Sequence, residues 1–186
     1  MNLKGKKVTL RAIEPTDLEF LRSMMNDEAI SDGVIGLSFP VSSAMQEKWY
    51  QSILQDHDNY RFIIETEKDG AVGLVTMGDI DWVNRVVHST GIKVDSKKIT
   101  ESGIALDAMT TMFKFIFYQL NLNRLEGTVL IDNVQANALN KLLGYTIEGT
   151  LRQAIYRNGK YHDVYFLGML KEDFDKRHLK KKDTVQ

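Results

Sequence analysis

The stretch from Gly91 to Met109 constrains this chain more than any other. A short apolar strand, Gly91 to Val94, passes through a polar loop into a helix whose Ala105, Ala108, Met109, Met112, Ile116 and Leu120 recur at three- and four-residue spacing. Strand, loop and helix start, in that order, aim the unpaired N–H groups and the positive dipole end of the helix at one point, where an anion such as a pyrophosphate is favoured. Gly103 lets a ligand approach the backbone closely. Any α/β chain holds several strand-to-helix turns containing a glycine, so the rest of the sequence has to decide whether this one binds.

Upstream, Val8, Leu10 and Ala12 alternate with Lys7, Thr9 and Arg11 as in a half-buried strand. Pro15, Asp17 and Glu19 suit a first helical turn, and Leu18, Leu21 and Met25 then share one face. Asp27 to Pro40 reads as a partly packed loop. Ser42 or Ser43 caps a second helix carrying Met45, Trp49, Ile53 and Leu54. Tyr60 to Glu65, an Asp69-Gly70 turn and Ala71 to Ile80 read as a hairpin, and Val86 to Val94 as a third antiparallel strand beyond the corner Asp81 to Arg85. After the long helix come a strand from Leu125 to Ile131 and a helix with Ala136, Leu139, Leu142 and Leu143 that stops at Gly144. Tyr145 to Glu148, Ala154 to Tyr156 and Tyr161 to Leu170 read as strands, the last two joined by a tight Asn158-Gly159 turn. Lys171 to Gln186 reads as a charged tail, frayed past Arg177. The expectation is one α/β (α+β) domain over 1–177, a mixed and mainly antiparallel sheet with helices on both faces, followed by a tail over 178–186.

Composition narrows the function. Lys and Arg number 24 against 25 Asp and Glu, a net charge of −1 that argues against a nucleic-acid partner. There is no cysteine, which excludes a thiolate nucleophile and a Cys-ligated metal and suits a reducing compartment. No run approaches the roughly twenty apolar residues of a membrane span and no signal peptide is visible, so a cytoplasmic protein with neither metal nor membrane partner is expected.

The order of elements resembles that of the GNAT acyltransferase superfamily, and particular words fit. The loop Thr100-Glu101-Ser102-Gly103-Ile104-Ala105 is similar to the superfamily's entry into its long helix, with Gly103 and Ala105 matching and Thr100 standing where Gln or Arg is usual. Asn133, then Lys141-Leu142-Leu143-Gly144-Tyr145, looks like the superfamily's asparagine and helix end. The segments Ile147 to Arg152 and Asn158 to Val164 are similar to the ribosomal-protein-alanine, polyamine and amino-sugar acetyltransferase branch.

The resemblance implies acetyl-CoA as cosubstrate and an amine as acceptor. The pyrophosphate would sit on Thr100, Glu101, Ser102, Gly103, Ile104 and Ala105, and the pantetheine arm would pair with Ile92, Lys93 and Val94 like an added strand. Lys98, with Lys97, would offset the carboxylate of Glu101, and Asn133 would contact the cofactor, cap a helix, or do both. The position of the superfamily's usual catalytic tyrosine is Asn140, whose amide cannot deliver a proton, and Tyr145 reads as a core aromatic. For the base, His88, Asp79 and Asp81 are the candidates: His titrates in the useful range, while the two Asp serve equally well as turn residues. His162 and Asp163, adjacent on a strand, leave opposite faces and form no dyad.

The resemblance implies that this amine belongs to a polyamine, an amino sugar or a protein N-terminus. Asp27, Glu28, Asp32, Asp56, Asp58, Asp79 and Asp81 suggest an acidic rim that would draw in a cation. Relatives of this kind often pair through their C-terminal strands, and the long apolar strand from Tyr161 to Leu170 makes a homodimer the expectation. A catalytically silent acyl-CoA-binding or regulatory module is the alternative, because Thr100 and Asn140 depart from the superfamily pattern.

Overall fold

The computed structural model describes residues 1–31, 35 and 39–178. Its strands are β1 (Leu3–Lys4), β2 (Thr9–Arg11), β3 (Tyr60–Thr66), β4 (Gly70–Asp81), β5 (Val86–Val94), β6 (Arg124–Leu130), β7 (Thr146–Arg157) and β8 (Lys160–Leu170). The helices are α1 (Leu18–Met25), α2 (Glu28–Ser31), α3 (Ser43–Ile53), α4 (Ile104–Lys114), α5 (Val134–Leu143) and α6 (Lys171–His178). All eight strands form one sheet in the order β1-β2-β3-β4-β5-β6-β8-β7. Of its pairings only β5 to β6 is parallel, as a crossover through a helix requires.

Helices cover both faces, as expected. On one face α4 and the π-helical turn that extends it, Phe115–Gln119, bury Ala108, Met109, Met112, Phe113, Ile116 and Phe117 against Val75, Met77, Val87 and Leu125. On the other, Leu21 of α1 and Tyr50 of α3 close over Ile63 and Leu74. Ser42 caps α3 by accepting the Met45 N–H, and Gly144 ends α5 in the left-handed region at φ 107°. Asn158 and Gly159, both at positive φ, make the tight turn between β7 and β8.

Three expectations change. The strand expected first is β2, preceded by the short β1, and it is shorter than the alternation from Lys7 to Ala12 suggested, because only Thr9–Arg11 finds partners on β3. The residues after β8 are not a tail: Lys171–His178 is helical, and its Phe174 is fully buried against Phe113 and Phe117. One buried aromatic docks an otherwise charged segment, and hydrophobic periodicity cannot register one residue. Residues 179–186 lie outside the described ones. The two separate strands predicted between Tyr145 and Tyr156 are one long β7, whose register shifts between Ile147 and Gly149 and again between Leu151 and Ile155.

Candidate active site

The sheet opens in its middle. β5 and β6 pair only at Val86 with Arg124 and Val87 with Leu125, then diverge. The Thr90 hydroxyl donates to the carbonyl oxygen of Glu126 at 3.1 Å and lies 2.7 Å from the Tyr145 hydroxyl. Two side-chain hydroxyls thus stand where ladder hydrogen bonds would otherwise continue, and they wedge the strands apart. On the opposite edge of β5 the pairing with β4 also lapses where Asp79, at φ 53°, faces His88. A cleft of about 410 Å³ fills the gap, lined by Ser89 to Lys93 on β5, Gly127 to Leu130 on β6, and Met109, Asn140 and Tyr145. The edge of β5 that faces the cleft has no strand beside it, so its backbone groups are open to an extended ligand.

At one end of the cleft β5 leads into α4. Gly103 stands at φ 81° as the residue before the helix, and the nearest atom to a side chain placed there would be Lys7 Nζ at 3.9 Å. Ile104, Ala105 and Leu106 follow, whose N–H groups have no carbonyl one turn earlier to receive them. The neighbouring loop residues are committed elsewhere. Thr100 turns both its N–H and its hydroxyl to the Asp69 carboxylate, at 3.2 and 3.0 Å, so it offers an anion nothing. Lys98 donates to the Ala71 carbonyl and lies over the Phe20 ring, and Lys97 pairs with Asp27 at 2.5 Å. Lys7 pairs with Glu101 and donates to the Ser102 carbonyl, which places a cation the sequence reading overlooked beside Gly103. It is held there because the Lys7 and Val8 N–H groups donate to Asp107 in the first turn of α4. Asn133 caps α5 through the Ala136 N–H.

Ile92 and Val94 pack into the core beneath α4, whereas Lys93 shares its face with its cross-strand partner Leu74, under α1 and α3. That second face carries the charges. Val87 and Leu125 are buried on the α4 side, so their neighbours His88 and Glu126 leave the opposite one. The parallel register brings His88 Nδ1 within 2.7 Å of Glu126 Oε2. Arg124 donates to the other oxygen of Glu126 at 2.7 Å and pairs with Glu148 through its far side. Burial alone would push the Glu126 carboxyl up; hydrogen bonds from His88 and Arg124 outweigh it and hold the group below the usual carboxylate range. No sequence signal joins His88 to Glu126, which lie on different strands and meet only through the crossover.

The other candidates disperse. Asp79 stands opposite His88 in the register of β4 and β5; neither of them, nor Asp81 nor Glu126, is among the residues that line the cleft, and His88 and Glu126 stand just beyond the end where Ser89 and Gly127 begin its wall. Asp81 accepts from Asn84, and Asp56 from Arg61 and Asn59. None of the described members of the supposed acidic rim lines the cleft, and Asp32 lies outside the described residues. Asn140 does line it, beside Tyr145. Tyr145 packs edge-on against Phe113 in the core, as a core aromatic should, and also presents its hydroxyl to the cleft. Burial raises its pKa above the ordinary tyrosine value although the Thr90 hydrogen bond pulls the other way. His162 and Asp163 diverge, toward Asp132 and the Gln153 N–H respectively.

Comparison with known proteins agrees with this architecture. The model of the acetyltransferase (GNAT) domain family matches residues 7–146. The SPbeta prophage-derived uncharacterized N-acetyltransferase YokL of Bacillus subtilis is 29% identical over 94% of this chain and 96% of its own. The L-amino acid N-acetyltransferase AaaT of Escherichia coli is 28% identical over 89% and 99%. Among solved structures, the spermidine N-acetyltransferase of Vibrio cholerae in complex with CoA and spermine superposes with a TM-score of 0.83 at 26% identity, covering 90% of this chain and 98% of that one. A sheet split between its parallel strands, a glycine-led helix at the end of the split and a family match over most of its length together show that the chain belongs to the GNAT acetyltransferase family.

Proposed function

We propose that this protein moves an acetyl group from acetyl-CoA to a primary amine, with the two substrates meeting in the cleft between β5 and β6. The observation that carries the reading is the splay itself: a free strand edge on β5 ending at a helix N-terminus fits an extended pantetheine arm followed by a pyrophosphate. The phosphates rest on the N–H groups of Gly103 to Leu106 beside Lys7, and the backbone of Ile92, Lys93 and Val94 lies along the arm.

The amine approaches from the face of α1 and α3. With its Nδ1–H donated to Glu126, His88 keeps the Nε2 lone pair for a proton. It removes that proton from the amine directly or through one water. The amine nitrogen bonds to the thioester carbonyl carbon, the carbon–sulfur bond breaks, and the sulfur takes a proton from the Tyr145 hydroxyl, which burial keeps protonated until then; the imidazolium afterwards gives its proton to solvent and the tyrosinate, disfavoured by the same burial, takes one back, so both side chains return to their starting states. Thr90, 2.7 Å away, orients that hydroxyl. Asn140 stands in the cleft without a proton to give.

Isothermal titration with CoA, then thiol release from acetyl-CoA across a panel of amines, tests the reading. Binding with release is expected, and binding without release by any amine would favour the silent module. The strand on which a homodimer was expected, Tyr161 to Leu170, is β8, paired on both sides by β6 and β7 and packed into the core, so we read the edge strand β7 as the surface of a homodimer instead: Ile147, Leu151 and Tyr156, with Tyr161 of β8, are exposed along it. Light scattering should give twice the chain mass of 21.3 kDa; the single mass would reject the dimer. Among the described residues no helix is long and apolar enough to cross a membrane, and with no cysteine in the chain we place the reaction in the cytoplasm.

A further inference from the structure

Lys93 differs from every other residue of the cleft wall. Its neighbours there are aliphatic, aromatic, hydroxyl, amide or glycine residues, and it is the one charged side chain among the described residues that line the cavity. It is half-buried, and its Nζ lies 3.2 Å from the thioether sulfur of Met25 at the end of α1. A thioether is a weak acceptor and carries no charge. Among the described residues no carboxylate lies within ion-pair distance of Lys93, although Lys97 on the adjoining loop pairs with Asp27. An ammonium taken out of water with so poor a partner is an unmet charge, and burial accordingly lowers its pKa. Removing a cation from solvent costs free energy that an incoming anion returns, and a second cation would increase it.

The side chain is also on the side where an anion would matter to the acceptor rather than to the donor. Lys93 and Leu74 are cross-strand partners facing α1 and α3, the face that carries His88 and Glu126, whereas the helix N-terminus that suits the phosphates belongs to α4. From these placements we infer that Lys93 selects the acceptor: the preferred amine carries an anionic group, a carboxylate or a phosphate, that pairs with Lys93 while the amine reaches the thioester. This rests on the acetyltransferase reading above. It runs against the cationic acceptor that the acidic loops suggested, since the described members of that acidic set do not line the cleft and the one charged side chain among the described residues that do is positive.

Five residues of strand separate His88 from Lys93, about 16 Å of backbone at the ordinary rise, so acceptors of different length are worth comparing. The test uses matched pairs that differ only in the anion: each L-amino acid with its primary amide, ω-amino acids with theirs, and glucosamine 6-phosphate with glucosamine, alongside spermidine. In the wild-type protein at least one anionic member should exceed its neutral partner about tenfold or more in kcat/KM, mainly through KM, as expected for a charge-assisted contact. The pair that responds says whether the anion is a carboxylate or a phosphate. Lys93→Met should bring that ratio to within about threefold of unity, and Lys93→Arg should restore part of it. Neutral members equal to their anionic partners, spermidine preferred over all, or a ratio unchanged in Lys93→Met would each overturn the assignment. So would a Lys93→Met defect confined to the KM of acetyl-CoA, which would place Lys93 with the donor. Titration of the wild type with CoA is run in parallel: no binding would remove the acetyltransferase reading and this one with it, whereas binding without anion preference removes this one alone.

Discussion

The two sides of β5 are built differently. Toward α4, Ile92 and Val94 are anchored in a continuous apolar core, and the loop beyond them ends in a helix whose first turn is stitched to the N-terminal strand by Asp107. Toward α1 and α3 the strand carries His88 and Lys93, whose partners Glu126 and Met25 come from β6 and α1. On the function proposed above, the donor side uses backbone groups, which any sequence with the right local geometry supplies, and the acceptor side uses side chains brought together from distant segments. A family can therefore keep the donor and change the acceptor by altering a few residues on one face.

The comparison breaks first at Gly103. Glu at this position places a carboxylate where phosphates are expected and forces a side chain to φ 81°, and CoA affinity should fall on the order of 100-fold, read by titration calorimetry. Gly103→Ala has open space around its Cβ and meets only the backbone strain, so its loss should be about tenfold or less. Equal losses in the two variants would mean that strain, and not an anion site, sets the effect.

On the other side, His88→Gln should lower kcat by about 100-fold while leaving CoA affinity within about twofold. Glu126→Gln, which keeps the shape but not the charge that steadies the imidazole, should cost about tenfold. Loss of CoA binding in either variant would show that the two faces are not separable.

These expectations also show what could be read from sequence. Gly103, Ala105 and the Asn133 to Tyr145 helix end are local words, and local words fix the strand, the helix and the dipole between them. Thr100 misled because its place in the loop resembles a phosphate contact, while its partner, Asp69, sits on a hairpin 31 residues away. Glu126 gave no signal because its meeting with His88 depends on the parallel register of β5 and β6, which a crossover decides. Phe174 alone turned the charged end of the chain into α6. Lys93 was visible as a residue of the strand, but which face it took, and that no carboxylate among the described residues met it there, are properties of the packed sheet.

A smaller effect belongs to Tyr145. Tyr145→Phe keeps the edge-on contact with Phe113 and removes only the hydroxyl, so kcat should fall about tenfold with little change in melting temperature. A large loss of stability with normal turnover would make it a structural residue only.

Away from the cleft, Asp17 is buried and accepts two hydrogen bonds from the Arg11 guanidinium, at 2.7 and 2.9 Å, and a third from the Glu14 N–H. Burial alone would raise its pKa, but the hydrogen bonds from Arg11 and Glu14 and the guanidinium charge hold it below the ordinary value. A depressed carboxyl contributes its full stability above its unfolded value of about 4 and loses it as the pH falls through the lower folded value. Asp17→Asn should cost about 2–4 kcal/mol at pH 7, with Glu65 still holding Arg11, and should flatten the wild type's loss of stability below about pH 4. Thermal melts across pH check this, and saturated turnover at pH 7 below the melting range should not change.

The division of the sheet into a donor side and an acceptor side is tested most directly by amide hydrogen exchange with and without CoA. Protection is predicted in β5 from His88 to Val94 and in the first turn of α4 from Gly103 to Leu106, with β7 and β8 unchanged. Protection that misses β5 and gathers on α5, β7 or the N-terminal strands would place the cofactor elsewhere and contradict the assignment of the cleft.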